Sequence, residues 1–414
     1  MIVQSISGLF VFSFIAWLIS ENRRIVSVKF VLTGLLIQLS MGAILLKFSL
    51  IRNLFNSFNK IVLFLEESTT AGTSFVFGYL GGAALPFEES YPGTSFILAF
   101  KSLPIVLTIS ALSALLFYWN VLPRIVKAFS WALQKSMRIG GAEGLGVSAN
   151  IFVGMVESPL LIRPYLKNMT RSEIFTLMTC GMATIAGTVM VLYAGILSRI
   201  VPDTLGHILT ASIISAPAAI TISKIMIPET DKPTSGRLIS PKKNINSMDA
   251  IAEGTMQGIQ LLINIIAMII VLVALVHLVN KTIGFIPDMG GRPITLQRLL
   301  GYIMSPIVWF MGIPWKETLI AGSLMGTKTV LNELIAFIEM SKLADGQLSP
   351  KSIVIMTYAM CGFANPGSLG IMIGGMGAIA PERKNEIVSL GFRSIIAGTL
   401  ATCMTGSVAG IFLC

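Results

Sequence analysis

Charge is what this sequence has least of. Of 414 residues, 30 are Lys or Arg and 20 are Asp or Glu, 12% of the chain, about half the share in an ordinary soluble domain. A water-soluble chain of this size would leave too much apolar surface wet. Disorder, coiled coil and collagen fall to the same figures. Histidine is nearly missing: His207 and His277 stand far apart, which excludes an H-E-x-x-H zinc peptidase and leaves a serine hydrolase without its usual base. Four cysteines, Cys180, Cys361, Cys403 and Cys414, lie in or at the end of apolar runs. They show no metal-ligand spacing and read as buried thiols. The five aspartates (Asp203, Asp231, Asp249, Asp288, Asp345) avoid the middle of every apolar run, so an intramembrane aspartyl protease lacks its pair. No enzyme is expected, and no cofactor.

What the chain does have is apolar length. Hydrophobic residues make up 54% of it and the mean hydropathy is +0.81, the composition of a polytopic membrane protein. About 20 apolar residues span a bilayer as a helix. Eight windows reach that scale: Ile2–Ser20, Phe30–Leu46, Ser102–Pro123, Ile174–Ser198, Thr204–Ser223, Gly254–Asn280, Ser352–Ala380 and Ser394–Cys414. The charge-free window Ser68–Phe87 is rich in Gly, Thr and Ser and reads as a surface hairpin or short helix. The first window has no preceding basic residue and no A-x-A site after it, unlike a cleavable signal. Arg23, Arg24 and Lys29 follow it instead, which sets the N-terminus outside and the first loop inside. Parity then puts three further groups inside: Arg124, Lys127, Lys135 and Arg138; Arg163, Lys167 and Arg171; and Lys224, Lys232, Arg237, Lys242 and Lys243. Arg383 and Lys384 follow on the same side, with the C-terminus outside. The net charge of +10 is thereby accounted for by inside loops, without nucleic acid as a partner. A multi-pass protein of the cytoplasmic membrane is expected, in contact with lipid.

Two regions resist simple crossing. Gly144–Leu166 is apolar, but Arg138 and Arg163 flank it on the same face, and Gly154-Met155-Val156-Glu157-Ser158-Pro159 interrupts its middle. It reads as a re-entrant helical hairpin, which is tolerated only where protein or a cavity surrounds it. Leu299–Met340 is broken by Lys316, Glu317, Lys328 and Glu333. It reads as a surface helix followed by a second hairpin of opposite entry, or as two short spans. The hairpin reading gives the chain two similar halves, each followed by a long Gly-interrupted helix. Paired broken segments of this kind point to a secondary transporter with its site at the midplane. Glu157 and Glu333 are then the acids placed where charge is least welcome. An ionised carboxylate can accept from two hydroxyl or N–H groups of a small polar ligand; capping a broken helix is the competing role. Asn150, Thr184, Thr188, Asn365 and Ser368 supply oxygen nearby.

Several long strings resemble the concentrative nucleoside transporter family: Asn150–Tyr165 (NIFVGMVESPLLIRPY), Ala183–Val189 (ATIAGTV), Ile313–Trp315, Gly326–Leu334 (GTKTVLNEL), Cys361–Ser368 (CGFANPGS) and the later GGMGAIAPERK. The match runs along most of the chain. The resemblance implies an all-α fold of eight transmembrane helices with two opposed re-entrant hairpins and interfacial helices, an inverted-repeat elevator assembled as a homotrimer. It implies scaffold helices in 1–120 and 254–285, with a moving transport domain in 121–253 and 286–414. It implies that Gly154, Met155, Val156, Glu157 and Val189 face the nucleobase. Glu333, Asn365 and Ser368 would hold the ribose hydroxyls, with Asn332 and Phe363 beside them. Sodium would take the side chains of Asn150 and Thr184 and the carbonyls of Val153 and Ile185.

Two positions depart from the family's usual Gly-Gln-Thr-Glu or Gly-Gln-Ser-Glu tip. Met155 replaces the amide that would bond the base. A flexible thioether suits a larger ring without demanding a pyrimidine's polar edge, so purine or broad preference is expected. Val156 lacks the hydroxyl that could join a cation shell, and hard cations want several oxygens. Sodium keeps the lead through Asn150 and Thr184. Proton coupling through Glu157 or Glu333 is the alternative.

Overall fold

The computed structural model describes residues 2–47, 49–89, 95–155, 157–236, 244–285 and 293–413, and every regular element among them is helical. Val156, Arg237, Lys242, Lys243, Asp288 and Cys414, each part of an expectation above, lie outside the described residues.

The chain opens with α1 (Ile2–Leu18), α2 (Val28–Lys47) and α3 (Ser49–Phe77); α4 (Leu98–Lys101) and α5 (Ile105–Tyr118) form the next apolar unit. The first half of a repeated order then begins. α6 (Val121–Met137) buries one stripe, Pro123, Val126, Ser130, Leu133 and Met137, with the three-to-four spacing of an amphipathic helix. After it come α7 (Gly141–Asn150), α8 (Glu157–Leu161), α9 (Arg163–Leu166), α10 (Arg171–Ala183), α11 (Gly187–Leu197) and α12 (Thr204–Met226). The long α13 (Ser247–Ile283) separates the halves. α14 (Leu296–Phe310), α15 (Thr318–Val330), α16 (Glu333–Ser341), α17 (Pro350–Met360), α18 (Pro366–Ile379) and α19 (Lys384–Phe412) repeat the order of elements, without a counterpart of the short α9.

Among the described residues, six helical stretches are long and apolar enough to cross a membrane: Val28–Lys47, Leu98–Tyr118, Arg171–Leu197, Thr204–Met226, Ser247–Ile283 and Pro381–Phe412. They overlap six of the eight windows. Of the other two, Ile2–Leu18 is shorter, and Ser352–Ala380 divides into α17 and α18 with Cys361–Asn365 between them. The Ser68–Phe87 window departs from expectation: its first half is the end of the 29-residue α3, closed by a 3-10 turn at Gly78–Gly81. Its hydroxyls are satisfied by nearby carbonyls. Ser68 Oγ donates to the Phe64 carbonyl at 2.7 Å, and Thr73 Oγ1 to the Gly81 carbonyl at 2.7 Å.

The interior is built on α10 and α12, whose residues are nearly all buried, and on α19, which is buried mainly from Ser394 onward. α1 lies along α19 and α2 along α12. Gly8 lets α1 in: a Cβ there would stand 2.2 Å from the Phe310 carbonyl oxygen. α13 packs mainly on α5, through Gly254 and Gly258 against Ser110, Ala111 and Leu107. Another stripe of it, including Met256, Ile263, Ile270 and Leu278, is exposed and apolar. At one end of the molecule Glu21 pairs with Arg171 (2.9 Å) and Arg393 (2.7 Å), and Lys167 with Glu382 (3.0 Å).

Candidate functional site

Four interruptions of helix meet at one cavity. α8, α11, α16 and α18 begin there, and α7, α10, α15 and α17 end close by. The local sequence dictates each break. At the first tip Gly154 takes φ +103, and a Cβ on it would lie 2.7 Å from that of Ala186. Only glycine tolerates both conditions. α11 restarts at Gly187, whose N–H donates to the Phe152 carbonyl at 3.1 Å and ties the break to the tip. Asn332 caps α16 by accepting from the Ile335 N–H at 2.9 Å, and Asn365 caps α18 by accepting from the Ser368 N–H at 2.8 Å. Both satisfy helix-start donors that would otherwise be orphaned.

The cavity holds about 850 Å³ of unfilled space, counted out into its open mouth. Gly154, Met155, Glu157, Val189, Asn332, Glu333, Phe363, Asn365 and Ser368 all line it. These nine come from four separate stretches of sequence. Val156, the tenth expected position, lies outside the described residues.

Glu333 is held at both carboxylate oxygens. It is 4% exposed; Tyr193 donates its hydroxyl to Oε1 at 2.6 Å and Asn365 donates Nδ2–H to Oε2 at 3.0 Å. Asn365 thus binds α16 and α18 together with one amide. A carboxylate has about four acceptor sites, so two acceptances leave capacity for a ligand. Glu157, at the start of α8, is half-buried on the opposite tip.

Some lining residues were not anticipated. Tyr193 is one. Leu192 and Ile371 are others, and α13 adds a wall of Leu261, Asn264, Ile265, Met268 and Leu272. The signal for Asn264 is present, a lone amide inside Leu261–Val271 (LLINIIAMIIV). Tyr193 is likewise the only hydroxylated aromatic of α11.

Beside the cavity, Asn150 and Thr184 come together. Thr184 Oγ1 donates to the Cys180 carbonyl at 2.9 Å and lies 3.5 Å from the Asn150 carbonyl. The Asn150 side-chain oxygen is buried and has no hydrogen-bond partner. Val153 and Ile185 are buried, and the Ile185 N–H donates to Ser212 Oγ at 3.3 Å. An orphaned buried oxygen beside a helix C-terminus and a hydroxyl is a donor set that fits a hard cation.

The geometry has its match among known proteins. Three family models cover the chain: "Na+ dependent nucleoside transporter N-terminus" over residues 7–80, "Nucleoside recognition" over 99–199 and "Na+ dependent nucleoside transporter C-terminus" over 207–410. The nucleoside permease NupC of Helicobacter pylori is 34% identical over 99% of this chain and 97% of its own length. The chain belongs to the concentrative nucleoside transporter family. Other members are also similar. Human solute carrier family 28 member 3 is 35% identical over 98% of this chain and 59% of that protein. The uncharacterized transporter YutK of Bacillus subtilis is 36% identical over 96% of both. The solved structure of CNTnw in an inward-facing substrate-bound state has a TM-score of 0.90 at 34% identity, covering 99% of this chain and 98% of that one. A CNTnw variant in an outward-facing state gives 0.92 at 34%, over 100% and 97%. The family consists of nucleoside transporters rather than enzymes. The chain is therefore a multi-pass membrane protein that takes up nucleosides.

Proposed function

We propose that this transporter couples inward movement of a nucleoside to sodium and accepts purine nucleosides preferentially or alongside pyrimidines. The observation that carries the reading is the convergence of Glu157, Glu333, Asn365 and Ser368 on one cavity. Carboxylate, amide and hydroxyl together suit a ribose diol, since each hydroxyl needs a donor and an acceptor. Gly154, Met155, Val156, Glu157 and Val189 would then face the base, with Asn332 and Phe363 closing the pocket. Sodium would be held by the side chains of Asn150 and Thr184 and the carbonyls of Val153 and Ile185. The unpartnered Asn150 oxygen favours this over a proton carried by Glu157 or Glu333, the second reading.

The two helix–turn–helix units, α7–α8 and α15–α16, are read as re-entrant hairpins entering from opposite faces. Transport would proceed by an elevator within a homotrimer, both termini being outside. The packing of α1 and α2 on α19 and α12 supports counting them with the moving unit. That narrows the stationary part of 1–120 towards α5, which pairs with the 254–285 helix. Coupling requires that the doubly loaded unit cross more readily than the half-loaded one.

The test is uptake of labelled adenosine and uridine into proteoliposomes, with and without a sodium gradient, for the wild type and Met155→Gln. Sodium should drive uptake, adenosine should compete better than uridine, and the variant should gain uridine transport. Undiminished uptake driven by a pH gradient in sodium-free buffer would transfer the coupling role to the proton.

A further inference from the structure

Lys328 is a charge that the nucleoside pocket leaves unused. It is completely buried in α15. Its Nζ donates to the Ala359 carbonyl at 3.2 Å and to Thr402 Oγ1 at 2.9 Å. An ammonium group carries three donors and no acceptor, so both partners must be oxygens with lone pairs to give. Burying such a group without partners is very costly. The surroundings are also suited to positive charge. Lys328 lies in the last turn of α15 and Ala359 in the last turn of α17, and helix C-termini present unpaired carbonyls that favour a cation.

The repeated order of elements gives this junction a counterpart. In the first half the end of α7, the break after α10 and the middle of α12 meet. There Asn150 offers its unpartnered oxygen, Thr184 stands alongside and Ser212 of α12 accepts from Ile185. In the second half the corresponding elements are α15, α17 and α19, and the hydroxyl from the last helix is that of Thr402. One junction presents oxygens to a cation from solution. The other contains a cation attached to the chain. Lys328 also acts through space on the carboxylate of Glu333, which is five residues further on.

We propose that Lys328 is a resident cation that takes, in the second half, the place of a coupling ion drawn from solution, and so limits the transporter to one external ion per nucleoside. The proposal rests on the reading of Asn150 and Thr184 as the cation site. The fixed ammonium would hold the α15 end, the α17 break and α19 in register whatever the ion concentration. Only the first half would then answer to the gradient.

The test is a titration of adenosine uptake against the driving ion in proteoliposomes, for wild type, Lys328→Gln and Lys328→Arg. The wild-type curve identifies the ion and judges the cation-site reading by itself. The comparison between wild type and variants judges Lys328, whichever ion drives uptake. In Lys328→Gln the curve should steepen, its Hill coefficient rising from about 1 towards about 2. Its adenosine KM at limiting ion should rise about tenfold, the scale of a lost charged hydrogen bond, and recover as the ion is raised. Lys328→Arg should keep the wild-type curve. A Lys328→Gln curve that superimposes on wild type, or an equal loss at every ion concentration, would overturn the proposal. Should Lys328→Gln not elute as a monodisperse peak, Thr402→Ala decides. A shift of its half-saturating ion concentration supports a resident cation, and an unchanged one overturns it.

Discussion

A carboxylate at a helix start inside a membrane is costly unless donors surround it, and Glu333 has two in place, from Tyr193 and Asn365. Removing it does more than delete a ligand contact. Glu333→Ala would strand the Tyr193 hydroxyl and the Asn365 amide in a buried site, each at a desolvation cost. Uptake of adenosine should fall at least about 100-fold, the loss of two charge-assisted bonds. Near-normal transport by that variant, measured at matched protein density, would remove Glu333 from the site. The same chemistry explains what the sequence showed at this scale and what it did not. Glu157 and Glu333 were legible because charge is rare here. Tyr193 was not, because an apolar helix hides a single hydroxyl whose partner lies 140 positions away.

Among the elements, the four breaks were the legible part. Gly154, Gly187, Asn332 and Asn365-Pro366 each carry a local reason to end or begin a helix, so the chain announces them without tertiary context. The α3 segment misled for the converse reason. Its Gly, Thr and Ser residues suggested a surface hairpin or short helix, yet their hydroxyls bond to nearby carbonyls and a long helix runs on to Phe77. The α13 wall of the cavity was also missed, since nothing in one sequence tells which helix closes a pocket formed by others. Close helix contacts make sharper predictions. Because a Cβ on Gly8 would meet the backbone of Phe310, Gly8→Ala must push α1 away from α14 and α19. Overpacking of this kind costs about 1–3 kcal/mol. It should appear as a lowered melting temperature in detergent, with adenosine KM little changed if the protein is kept cold.

For the molecule as a whole, the ionic cluster at one end ties the loop after α1 to the starts of α10 and α19. The hydrogen bond from Arg171 holds the Glu21 carboxyl below its ordinary range, burial opposes this, and the charges of Arg171 and Arg393 add to the lowering. A carboxyl that titrates lower when folded favours the folded state in its ionised form. The contribution is complete at neutral pH and is lost as the pH falls from about 5 through the lowered value. Thermal unfolding of the wild type should therefore show a steeper loss on acidification over that range than Glu21→Gln. Equal slopes would show that the pair does not contribute.

The lining of the cavity has a consequence for metabolism. Among the described residues it contains two carboxylates and no Lys, Arg or His, and its capped helix starts already have acceptors. A phosphate group brought in with a nucleotide would meet like charge and shed water without a cation to receive it. Excess AMP should accordingly fail to inhibit adenosine uptake; inhibition matching that by adenosine would refute the argument. A cell that phosphorylates an imported nucleoside then holds it, because the charge added by its own kinase closes the route by which the molecule arrived.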